Sequence, residues 1–105
     1  MHMFYNELII KQGIIPQKIS TNELAWRIDD INAILMWIAE NNRVVLGGDV
    51  LDAKKEYTYD NWYYNYDYTI PLFSNVNDSI TKAKEYISNY ITLNGSNYYI
   101  VLVLK

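Results

Sequence analysis

The sequence predicts an α+β fold, a small and mostly antiparallel sheet with helices packed against it. Two segments, Leu24 to Ile38 and Ile80 to Ile91, repeat apolar residues at helical spacing. Three others, centred on Val45, Trp62 and Val101, are β-branched or aromatic runs bounded by Gly, Pro or Asn. The order helix, helix, strand, strand, helix, strand lacks the regular alternation that builds a parallel sheet.

The first element is a short helix over Phe4 to Lys11 that buries Phe4, Leu8 and Ile9, with Gly13 and Pro16 as its stop. Ser20-Thr21-Asn22-Glu23 then reads as a capping box, and Leu24, Ile28, Ile31, Ile34, Leu35 and Ile38 continue it as a helix through Asn41. An alternative start stays open: Asp29 caps a shorter helix and leaves Leu24-Ala25-Trp26 extended. Arg43 to Leu51 is continuous and β-branched, a buried strand interrupted at Gly47-Gly48, where a bulge or a close backbone approach is expected. Tyr57 to Tyr68 reads as an aromatic strand ended by Pro71. Asn77-Asp78 starts a helix with Ile80, Ala83, Ile87 and Ile91 as its apolar stripe, and Asn94-Gly95 stops it. Tyr98 to Leu104 is apolar on both faces, which places it centrally in the sheet.

A chain of 105 residues that is 50% hydrophobic and 20% charged predicts a single domain over residues 1–105. Roughly two thirds of its unfolded surface is buried on folding, enough for a core without staples. A net charge of -3 has the wrong sign for neutralising phosphates and excludes nucleic acid as the expected ligand. No cysteine is present, so thiol chemistry and disulfides are absent. Neither an export signal nor a membrane-length apolar run is visible, which points to a cytoplasmic protein without membrane contact.

Catalytic signals are sparse. The single histidine, His2, lies at a terminus expected to fray and supports neither a triad nor a histidine metal site. Gly47-Gly48-Asp49 lacks the spacing of a phosphate loop, and Lys54-Lys55 reads as a solvated turn. Asp49 and Asp60 on neighbouring strands would form a carboxylate pair for a small, metal-dependent hydrolase. Aspartates beside Gly-Gly or Asn more often accept backbone hydrogen bonds. No cofactor or resident metal is expected.

The aromatic strand asks for more than folding. Alternation puts Thr58, Asp60, Trp62, Tyr64, Tyr66 and Tyr68 on one face, and Tyr57, Tyr59, Asn61, Tyr63, Asn65 and Asp67 on the other, wetter one. Tyr and Trp give large rigid contact areas at low entropic cost. One face can therefore serve the core while the other serves an interface. Rings of this kind also stack on sugars, so a carbohydrate-binding module is a further alternative, and they would serve a homodimer equally.

Glu23-Leu24-Ala25-Trp26, a helix, Val45-Leu46-Gly47-Gly48-Asp49-Val50, Tyr59-Asp60-Asn61-Trp62-Tyr63, then Ser79, Ala83, Tyr86, Ile87 and Tyr90 before an apolar strand follow one another in this order. That order resembles the bacterial immunity protein 40 family over about residues 20 to 105, most specifically in the Leu-Gly-Gly-Asp-Val and Asp-Asn-Trp-Tyr strings. Residues 1 to 19 and the stretch Thr69 to Val76 lie outside the recognised pattern. The resemblance implies a cytoplasmic α+β antitoxin, encoded beside a polymorphic toxin, that binds the toxin domain without catalysis. An acidic protein of this kind suits a toxin with a basic contact surface. On that reading Tyr57, Tyr59, Asp60, Tyr63 and Asp67 form the centre of the contact, with Asp49 near its rim. Gly47, Gly48 and Trp62 are assigned to the fold.

Overall fold

A computed structural model of the chain describes residues 17–18 and 24–105. The described elements are β1 (Gln17–Lys18), β2 (Leu24–Arg27), a 3-10 turn (Ile28–Asp30), α1 (Ile31–Glu40), β3 (Val45–Leu51), β4 (Tyr57–Tyr63), α2 (Leu72–Asn94) and β5 (Tyr99–Leu104). The strands form one antiparallel sheet in the order β1-β2-β5-β3-β4. The architecture is α+β. The two-sided apolar run of β5 lies between β2 and β3, at the sheet centre.

The main core lies between the sheet and the helices. Ile31, Ile34, Leu35 and Ile38 of α1 and Val76, Ile80, Ala83 and Ile87 of α2 pack with Trp26, Val45, Val50, Trp62 and Ile100 from the strands. These are the i, i+3, i+4 positions of each helix, the stripe an amphipathic helix must bury. On the second face of the sheet, Ala25, Leu51 and Val101 form a smaller buried cluster. Among the described residues no helix is long and apolar enough to cross a membrane.

Three expected boundaries change. The helix expected from Ser20 begins only after β2, because Ala25 and Trp26 pair with Val101 and Ile100 and are fully buried in the sheet. Helical pattern at Leu24 to Arg27 yields to burial on both faces. The shorter helix forms, but Asp29 lies within the 3-10 turn, and Asp30 precedes α1 without a side-chain cap bond. The expected helix over Phe4 to Lys11 and the Ser20 to Glu23 box lie outside the described residues. Strand β4 ends at Tyr63 rather than Tyr68, since the last ladder bond runs from Tyr64 N–H to Leu46 O at 2.9 Å. Helix α2 starts at Leu72, directly after Pro71, instead of at Asn77. Its first turn is fixed by Asn75, whose buried carboxamide ties the helix to the chain behind it.

Candidate protein-binding surface

Among the described strands β4 is an edge of the sheet, so its outer backbone groups face away from β3. Its side chains divide as alternation requires. Pairing puts Tyr63 opposite Gly47, Asn61 opposite Asp49 and Tyr57 opposite Leu51, all on the second face. The tyrosine rings of the strand stand in solvent: Tyr59 is 90% exposed, Tyr63 70% and Tyr57 42%. Between Asp49 and Leu51 the register shifts, because β4 spends four steps from Asn61 to Tyr57 where β3 spends two. Tyr59 occupies this bulge with φ 69°, a left-handed conformation that costs a non-glycine residue about 1–2 kcal/mol. Thr58 steadies it, with Oγ1 donating to Val50 O at 2.9 Å and accepting from Asp60 N–H at 3.2 Å. A strained residue presenting a solvent-facing ring is a pattern of functional sites.

The double glycine shapes the floor. A Cβ at Gly47, which has φ 155°, would stand 2.3 Å from Trp62 O, so only glycine lets β3 and β4 approach here. Gly47 lies between Val103 of β5 and Tyr63 of β4 in one cross-strand row. Its missing side chain leaves an open cleft of about 230 Å³ between them, bordered further by Asp49 and Asn61. A Cβ at Gly48 would meet the Trp62 ring at 2.4 Å; this glycine seats the indole on the helix-facing side.

That other side of β4 packs on α2. Trp62 stacks on Tyr86 with centroids 4.9 Å apart, Tyr86 on Tyr90 at 6.1 Å, and Tyr90 meets Tyr98 edge-on at 5.1 Å. Tyr90 Oη donates to Asp60 Oδ2 at 2.8 Å. Burial, reinforced by this bond to a carboxylate, pushes the Tyr90 phenol up to about 12. The folded protein thus holds the proton more tightly than the unfolded chain, whose tyrosines ionise near 10. Stability from Tyr90 is complete below pH 10 and is lost as pH rises from 10 to about 12. Urea titrations across that range should show a falling midpoint, and the fall should be shallower in Tyr90→Phe.

Beyond β4 the chain turns toward α2. Asp67 Oδ1 accepts from Thr69 N–H at 2.8 Å and from the Thr69 hydroxyl, and these bonds hold its carboxyl below the usual range. Lys105 Nζ lies 5.0 Å from the Tyr66 ring centroid and 5.9 Å from that of Tyr68. Lys54 and Lys55 sit in the β3–β4 turn, closed by Asp52 Oδ1, which accepts from Lys54 N–H at 2.8 Å and Glu56 N–H at 3.0 Å.

The structure therefore groups Tyr57 and Tyr63 with Asp49 on the second face, with the exposed Tyr59 at the bulge between them in the strand. Asp60 reaches the opposite side, against Tyr90, and Asp67 caps the following turn. Asp49 and Asp60 do not converge, and among the described residues no cluster of three acidic or histidine side chains could hold a metal ion. Sequence reasoning did not single out Val103 and Asn61 as site residues. Alternation already placed Asn61 on the wetter face of the aromatic strand, but only the cross-strand register sets it opposite Asp49 and brings the distant Val103 beside Gly47.

The model of the family described as Immunity protein 40 matches residues 15–104. No curated protein and no solved structure matches the chain.

Proposed function

The chain belongs to the immunity protein 40 family, and on that premise we propose that it binds and neutralises a cognate bacterial polymorphic toxin without catalysis of its own. The observation that carries the location is the row of exposed rings on an edge strand, Tyr57, Tyr59 and Tyr63. Rigid aromatics of this kind dominate interface energetics when a partner buries them. Asp49 lies beside them, and Asp60 and Asp67 flank the strand as exposed carboxylates. Together with a net charge of -3 they favour a toxin whose contact surface is basic, because complementary potentials accelerate encounter. Speed matters to an antitoxin, which must engage before the toxin acts.

Co-expression with the toxin domain encoded beside it tests the function: the wild-type chain should restore growth, and lethality despite full expression would refute it. Calorimetry with the same toxin tests the surface. Tyr63→Ala should weaken binding about tenfold, equivalent to about 1.4 kcal/mol. An unchanged affinity would move the contact away from β4.

A further inference from the structure

Taking β4 as the toxin contact, we infer that the cleft over Gly47 receives a single arginine side chain of the toxin. The cleft is a gap in the row Val103–Gly47–Tyr63, and the glycine that makes it is imposed by the close approach of the Trp62 carbonyl. No residue with a side chain can fill that gap from within the strand. At about 230 Å³ it is large enough for one long side chain and too small for a helix or strand.

Its lining distinguishes among the side chains that fit. Val103 and Leu46 supply apolar wall, which suits a methylene stem. The exposed Tyr63 ring offers a face on which a planar cation stacks. In the next row on the same face, Asp49 and Asn61 stand opposite one another and add a carboxylate and a carboxamide oxygen. Among the described residues lining the cleft, none is Lys or Arg. An apolar wall, a stacking plane and paired oxygen acceptors match a guanidinium better than an ammonium, which is compact and strongly hydrated.

The probe is N-acetyl-arginine methylamide, compared with its neutral citrulline isostere by amide chemical-shift titration of the full chain. The arginine probe should shift the signals of Gly47, Gly48 and Asn61 saturably and the citrulline probe should not. Asp49→Asn should weaken the response about tenfold, the scale of a charge-assisted hydrogen bond. Val103→Trp, at an exposed position, should fill the cleft and abolish it. Equal shifts from both probes, no shift at those amides, or a full response in Val103→Trp would each overturn the assignment. The toxin separates the two levels of the reading. If the wild type binds toxin and neither variant weakens that binding, the antitoxin role stands and the arginine cleft falls. If the wild type binds no toxin, the antitoxin role falls and the probe titration still decides the cleft.

Discussion

Trp62→Ala should lower the unfolding free energy by about 3–5 kcal/mol in urea titration, the largest effect expected of any single substitution in β4. The residue is 5% exposed although its strand is an edge, because the indole turns inward onto α2 and stacks on Tyr86. Its Nε1 has no hydrogen-bond partner among the described residues, so truncation removes packing without releasing a bonded donor. The seat of the ring makes the prediction sharper. A Cβ at Gly48 would lie 2.4 Å from the Trp62 ring and 2.8 Å from Val101 O. Gly48→Ala should therefore cost about 1–3 kcal/mol by overpacking. In the double variant the ring is gone and only the Val101 carbonyl still opposes the new methyl, so the double variant should lose less than the sum of the two single losses. Strict additivity would show that the indole does not rest on Gly48.

The same segment shows what sequence could and could not reveal. Alternation from Tyr57 onward separates Trp62 and Asp60 from Tyr63 and Asn61, as the sheet does. It survives the bulge at Tyr59 because the strand inserts two residues there, four steps against two, and an even insertion leaves side-chain parity intact. A one-residue bulge would have exchanged the faces. Past Tyr63 alternation has no meaning, since the chain leaves the sheet. The stripe of α1 was readable because its spacing is local. Strand β2 was not, because Leu24 to Arg27 fits a helix equally well and only pairing with the distant β5 decides the matter. For the candidate site, the rings were visible in composition and the cleft was not. A cleft is a relation among three strands, and no one of them encodes it.

Asn75→Leu should cost about 2–4 kcal/mol, the second large loss, for a reason that hydrophobic pattern hides. A single asparagine near a helix start reads as surface or cap, yet Asn75 is 0% exposed. Its Oδ1 accepts from Tyr64 Oη at 2.6 Å and Asp67 N–H at 2.9 Å, while Nδ2 donates to Asp67 O at 2.9 Å and Pro71 O at 3.4 Å. Both donors and both acceptor positions of the carboxamide are thus filled. Leucine keeps the branched heavy-atom shape of asparagine but strands the Asp67 backbone on both its N–H and C=O sides, and the penalty comes chiefly from those orphaned groups. Tyr64→Phe removes one bond from the same node and leaves the rest, so it should cost only about 1 kcal/mol. Comparison of the two variants by urea titration isolates the node: a loss in Asn75→Leu no larger than in Tyr64→Phe would show that the carboxamide does not hold the turn. The functional consequence differs from that of Trp62→Ala. Loosening residues 64–71 frees Asp67 but leaves the β3–β4 ladder and its cleft in place, so toxin affinity in Asn75→Leu, measured where the variant is folded, should fall less than in Tyr63→Ala.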